Sequence, residues 1–315
     1  MNSRSVVTII GAGTMGHALA LIFALGGNRV FLTDISERVL THARELIDSH
    51  LKTLAENGEL RETPDLIIKR IETALDYKTF VRKSDLAIEA IIEEAETKRK
   101  LFNEIVKHIG DKTIVASNTS YLNIFPLAPA SIQKRLLITH FFNPPYIVPL
   151  VEVVGNPETD PEVISRVCDI LKNSGMTPVV LKKFIPGYIV NRLQRAIGRE
   201  VLYMIDEGFA DPEEIDRAVK ASLGIRLPVL GVVARYDYAG LDMAVRALKA
   251  PPIGLATEDK LSPTLLKLVE KGHLGVKSGR GFFDYADKPL SECLRDRDLK
   301  LIQVYQLLRK LGEVQ

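Results

Sequence analysis

A short run, Val6-Val7-Thr8-Ile9-Ile10, stops at Gly11 and is followed by Gly13 and Gly16. No other feature constrains the fold as much. A β-branched run bounded by glycine reads as a buried parallel strand. The G-x-G-x-x-G spacing then leads into an apolar helix over residues 17–25. Gly11 permits a tight turn, Gly13 lets backbone approach a pyrophosphate, and Gly16 lets the helix lie close to the strand. Thr14 and Met15 complete the loop, and the helix N-terminus offers N–H groups and a positive dipole end to phosphates. A second strand, over 29–33, ends at Asp34. A carboxylate there accepts hydrogen bonds from ribose hydroxyls and repels a 2′-phosphate. The sequence therefore predicts a dinucleotide site that favours NAD over NADP.

The rest of the chain alternates in the same way as far as residue 181. A helix capped by Ser36 carries Val39, Leu40, Ala43, Leu46, Ile47 and Leu51 at helical spacing, and Pro64 opens a second; together they predict a helical arm. Strands are expected over 71–75, 85–90, 113–117, 135–141, 150–154 and 178–181, with helices over 96–108 and 161–174. This alternation implies a doubly wound α/β sheet. From Pro186 onward the pattern is helical: 188–207, 212–222, 241–249 and 262–271. Two domains are expected, a Rossmann-like one over 1–184 and an all-α one over 185–315.

A total of 315 residues, 46% apolar and 26% charged, suits two globular domains with ample core. Net charge is only +2, which argues against a nucleic-acid footprint. No apolar run reaches the length of a bilayer span. Cys168 and Cys293 stand far apart, so reduced thiols and a cytoplasmic setting are expected.

Three features fall outside the carboxyl ends of the strands, where this fold class places its chemistry: Asn118-Thr119-Ser120, His140-x-x-Asn143 and Glu152. Oxidising an alcohol requires a base for the hydroxyl proton, and histidine titrates near working pH. His140 ends a strand before a Pro-Pro loop, so it is expected to face a cleft. Glu152 lies in the otherwise apolar Leu150–Val154, a costly place for a carboxylate without a partner. Pairing it to His140 would fix the ring tautomer. The other histidines, His17, His42, His50, His108 and His273, fall in helices or polar helix ends and are expected on the solvated surface.

These pieces resemble the 3-hydroxyacyl-CoA dehydrogenases over nearly the whole chain. The likeness rests on Gly11-x-Gly13-x-Met15-Gly16, Glu89-Ala90-x-x-Glu93, Ser117-Asn118-Thr119-Ser120, His140-Phe-Phe-Asn143-Pro144 and Leu150-Val-Glu152-Val. It continues through Pro186-Gly187-Tyr-Ile-Val-Asn191-Arg192-Leu193, Gly240-Leu241-Asp242 and the glycine-rich Gly275–Tyr285. The resemblance implies a catalytic His140–Glu152 pair, with Ser120 and Asn191 holding the substrate oxygen and Asn143 ordering the site. It also implies that Glu93, Lys98 and Asn118 line the cofactor NAD, and that the helical domain forms a homodimer. A short-chain 3-hydroxyacyl-CoA is the implied substrate. One stretch, Gly224–Asp237, is closer to the L-gulonate 3-dehydrogenase (λ-crystallin) branch, which suggests a free 3-hydroxy acid of the L-gulonate or L-carnitine type. There Arg226, on a loop between helices, or Arg235 would bind a carboxylate. A non-catalytic nucleotide-binding protein is the remaining alternative.

Overall fold

Alternating apolar runs and amphipathic stretches fold into one sheet with helices on its faces. The computed structural model describes residues 4–314. In chain order the first part contains β1 (Val6–Ile10), α1 (Gly16–Leu25), β2 (Arg29–Thr33), α2 (Glu37–Glu56), α3 (Pro64–Ile68), β3 (Ile71–Ala74) and α4 (Lys78–Val81). There follow β4 (Leu86–Glu89), α5 (Ala95–Ile105), β5 (Ile114–Ser117), β6 (Leu136–Phe141), β7 (Leu150–Gly155), α6 (Pro161–Asn173) and β8 (Thr177–Leu181). The sheet order is β3-β2-β1-β4-β5-β6-β7-β8, parallel throughout except where β6 meets β7. Chain order reverses between β1 and β4, which creates the crevice at their carboxyl ends.

α1 is buried from Gly16 to Ala24, with β1 and β2 below it and α2 above. His17 is part of that buried surface, contrary to the solvated position expected of it; a helix apolar all round is buried all round, and its one histidine goes with it. Ser36 caps α2 by accepting a hydrogen bond from the Val39 N–H. Leu40, Ala43, Ile47, Leu51 and Leu54 are buried along α2, which packs on α1 and α3. The arm is this pair of helices.

Compact packing divides the chain after Ile189. The second unit, Val190–Val314, contains α7 (Val190–Asp206), α8 (Pro212–Ala221), α9 (Leu223–Leu230), α10 (Ala234–Ala239), α11 (Leu241–Lys249), α12 (Pro263–Glu270) and α13 (Leu290–Leu311). Ser262 caps α12 through the Leu265 N–H. Arg226 lies within α9 instead of on a loop. Pro228 lies inside the same helix, where it has no N–H to donate to the Gly224 carbonyl. Cys168 and Cys293 are both free thiols. Among the described residues no helix is long and apolar enough to cross a membrane.

Candidate active site

The glycine loop carries the geometry its spacing implies. Gly11 has φ +101°, and a Cβ on it would meet the Ala90 carbonyl oxygen at 2.6 Å. A Cβ on Gly16 would lie 1.8 Å from the Gly11 oxygen. At Gly13 a Cβ would meet nothing within 4 Å, so the close approach there is left open to a ligand. Gly13, with Ala12 and Thr14, borders a cleft of about 810 Å³ whose other wall is the Glu37–Leu46 stretch of α2. Asp34 accepts from the Ala12 N–H at 2.9 Å and from the Ser36 N–H at 3.0 Å. It ties the end of β2 to the glycine loop and is half-buried. An open Gly13, a helix N-terminus at Gly16 and a carboxylate at the end of β2 fit a dinucleotide.

Antiparallel pairing of β6 with β7 sets His140 directly opposite Glu152. His140 Nδ1 lies 2.8 Å from Glu152 Oε2, with both side chains at most 5% exposed. The second carboxylate oxygen, Oε1, accepts from the Ile189 N–H at 2.8 Å. An ionised carboxylate only accepts, so Nδ1 carries the hydrogen and Nε2 of neutral His140 keeps its lone pair. Phe142 meets the imidazole edge-on at 4.6 Å between centroids, and the Tyr188 ring lies 5.0 Å away. Tyr188 is buried at φ +50°, with its hydroxyl donating to the Thr119 carbonyl at 2.9 Å. Burial pushes its phenol well above the ordinary value, with the charges of Glu93 and Glu152 acting in the same direction. The ring therefore stays neutral. His140 is buried within the first unit's strand, a tighter setting than an open cleft wall.

A second polar cluster sits at the carboxyl ends of β4 and β5. Lys98 Nζ lies 2.6 Å from Glu89 Oε1 and 3.2 Å from Glu93 Oε2, and its side chain is 1% exposed. Glu89 also accepts from Ser117 Oγ at 2.6 Å and from the Ile91 N–H at 2.9 Å. Burial pushes the Glu89 carboxyl up, while Lys98 and those two donors pull it down. Glu93 Oε1 accepts from Thr119 Oγ1 at 2.6 Å and from the Ser120 N–H at 2.7 Å. Against the opposing effect of burial, these bonds and Lys98 hold the Glu93 carboxyl below the ordinary range. Asn118 Oδ1 accepts from the Phe141 N–H at 3.0 Å, which joins the end of β5 to the end of β6.

In the first unit His140 lies near the end of β6 and Asn118, Ser120 and Glu93 lie just past the ends of β5 and β4, with Glu152 inside β7 and Lys98 on α5. Asn143 is exposed and precedes a cis bond to Pro144. Asn191 stands in the first turn of α7, in the second unit. The Glu89–Lys98 pair and Tyr188 are polar groups that the residue-level reading left out. Glu89 had a signal like that of Glu152, a carboxylate in an otherwise apolar strand.

Two family models match the chain: the NAD-binding domain of 3-hydroxyacyl-CoA dehydrogenase over residues 6–184, and its C-terminal domain over 187–285. The 5-formyl-3-hydroxy-2-methylpyridine 4-carboxylate 5-dehydrogenase of Mesorhizobium japonicum is 32% identical over 303 residues, covering 96% of this chain and 97% of its own. Human mitochondrial hydroxyacyl-coenzyme A dehydrogenase is 35% identical over 289 residues, 89% of this chain and 90% of its own. A crystal structure of a 5-formyl-3-hydroxy-2-methylpyridine 4-carboxylic acid 5-dehydrogenase, described as an NAD+-dependent dismutase, superposes with a TM-score of 0.87. That match covers 98% of this chain and 99% of the other at 30% identity. With its NAD-binding domain and helical C-terminal domain, the chain belongs to the 3-hydroxyacyl-CoA dehydrogenase family and is an NAD-dependent oxidoreductase.

Proposed function

We propose that the protein oxidises the 3-hydroxyl of a short-chain 3-hydroxyacyl-CoA to a ketone, reversibly, with His140 as the general base. The observation that carries this reading is the buried 2.8 Å contact between His140 Nδ1 and Glu152. It leaves Nε2 to take the hydroxyl proton and sets a carboxylate beside the imidazolium that results. NAD supplies the hydride acceptor. Ser120, held by its N–H to Glu93, and Asn191 donate to the developing alkoxide. Asn143 orders the loop after β6. Glu93 and Asn118 line the cofactor, and buried Lys98 acts on it through Glu93. Asp34 favours NAD, so kcat/KM for NADP falls well below that for NAD.

His140→Gln lowers kcat by roughly 10²–10⁴-fold with NADH affinity little changed. Near-normal turnover in that variant would sink the mechanism. Any NADH-linked turnover by the wild type removes the non-catalytic alternative.

A second substrate reading is a small free acid carrying no CoA. It is favoured by the end-to-end match to a dehydrogenase of a pyridine carboxylate, which extends past residue 285, where the family model stops and α13 follows. NADH oxidation with acetoacetyl-CoA, run beside NAD reduction with L-gulonate and L-carnitine, separates the two. Arg226→Met and Arg235→Met raise KM only for the free acid if either arginine binds its carboxylate.

We also infer a homodimer formed through the helical unit. α7 buries none of its residues, and Leu193 and Ile197 are 45% and 53% exposed on one stripe. Light scattering at micromolar concentration tests this; a monomer counts against it.

A further inference from the structure

Behind the glycine loop lies a chain of side chains that the chemistry above does not use. His17, in the first turn of α1, sets Nδ1 2.8 Å from the Gly13 carbonyl oxygen and Nε2 3.3 Å from Nε2 of His50 on α2. The two ring centroids are 5.4 Å apart with only 20° between their planes. Nitrogens so much closer than the centroids, on nearly parallel rings, place the rings edge to edge. The contact is an in-plane N–H···N hydrogen bond.

The acceptor at one end assigns the hydrogens. A carbonyl only accepts, so His17 Nδ1 donates to Gly13 and neutral His17 presents Nε2 as an acceptor. His50 Nε2 must then donate to it. A further proton taken up by the pair goes to His50 Nδ1, and its charge acts on Gly13 through two hydrogen bonds in series. The Gly13–Thr14 peptide is trans, so its N–H points away from its carbonyl. Polarising the carbonyl makes the Thr14 N–H a stronger donor on the other side of the loop.

We propose that His17 and His50 are positioning residues for the dinucleotide, holding a proton at His50 Nδ1 that tightens the glycine loop on the pyrophosphate, so that cofactor binding takes up a proton. Burial lowers the basicity of His17, which leaves the proton on the less buried His50. The Tyr146 ring lies 4.3 Å from the His50 ring and favours its cationic form. Tyr146 follows the cis Asn143–Pro144 bond on the segment after β6, so the proton also links the cofactor loop to the segment that leaves His140. His42 on α2, bonded to Glu45, acts on His17 in the same direction as burial.

ADP-ribose tests this, because it carries the pyrophosphate without the nicotinamide and its binding does not depend on which alcohol is oxidised. Calorimetric titrations between pH 5.5 and 8, in buffers of different ionisation heat, give Kd and proton uptake together. Affinity is expected to rise several-fold as pH falls, bounded at about tenfold per pH unit for one linked proton. His50→Gln keeps an N–H donor toward His17 but cannot hold the proton. It should match wild type at pH 8 and lose the pH dependence, while His108→Gln, which removes a histidine paired to Glu104 away from the cleft, retains it. A wild-type slope in His50→Gln overturns the proposal. So does the absence of proton uptake by the wild type at pH 6.5, which needs no variant at all.

Discussion

The two units bury their apolar residues to very different extents. In the first, β1, β4, β5, β6 and β7 are buried along most of their lengths, and Phe102, Ile124, Ile132 and Tyr188 close the core against them. In the second, Ile215 and Ile302 are the only buried apolar side chains among the described residues, while Leu248 on α11 is 86% exposed. Scattered exposed leucines are ordinary, but whole helices with no buried face are not. The first unit is a self-sufficient scaffold for a cofactor and a base. The second has amphipathic helices with exposed apolar stripes, which fits the homodimer proposed above.

The most severe way to break this contrast is to place charges on the open stripe. Leu193→Asp with Ile197→Asp should convert the proposed dimer to a monomer. Loss of interface contacts and two desolvated carboxylates together cost several kcal/mol of association. Sedimentation gives the mass and circular dichroism checks that the helices persist. Ile138→Asp, the same kind of change in the first unit's core, should instead prevent folding of that unit. If the α7 variant remains a dimer, this stripe is not the interface.

Next in size is Lys98→Met. It leaves Glu89 buried without its cation, a loss of roughly 3–5 kcal/mol in comparable buried pairs. Urea unfolding followed with a first-unit probe reads it. Lys98→Met with Glu89→Gln should recover much of the loss, because the uncompensated charge is then gone. A single variant as stable as wild type would show that the pair contributes little.

The cofactor loop and the alternation of strands and helices were legible in the sequence because each rests on local rules, namely glycine spacing and the pattern of apolar runs. The His140–Glu152 contact was legible for another reason: a carboxylate within an apolar strand demands a partner, and antiparallel pairing of neighbouring strands supplied one. Glu89 made the same demand, but its partner lies nine positions along on a helix, and charged helix residues are usually solvated. His17 was misread because one polar residue was weighed without the apolar helix around it. α9, α10 and α13 were not anticipated. Pro228 lies inside α9 and Gly231 between α9 and α10, and the first half of α13 is dense in charge. Assembly leaves still less trace in sequence, since an amphipathic helix looks the same whether its partner lies in its own chain or in a second copy.

A smaller effect concerns acid. Lys98 and the Thr119 and Ser120 donors hold the folded-state carboxyl of Glu93 below the usual range. Its contribution to stability is therefore present above the unfolded-state value and is lost as pH falls through the folded one. Wild type should lose stability below about pH 4.5 more steeply than Glu93→Gln, whose curve lacks this group. Parallel acid-unfolding curves would mean that Glu93 is not held by these bonds.

The finest test removes one atom. Tyr188→Phe keeps the ring against His140 but deletes the donor to the Thr119 carbonyl, a bond worth about 0.5–1.5 kcal/mol net. Thr119 also holds Glu93 through its hydroxyl, and the next residue is Ser120, so the lost bond loosens the segment proposed to meet the substrate oxygen. Tm should fall by a few degrees. The effect on kcat should exceed any effect on NADH affinity, because the glycine loop is untouched. A change in NADH affinity larger than that in kcat would mean that this hydroxyl acts mainly through Glu93 on the cofactor side of the site.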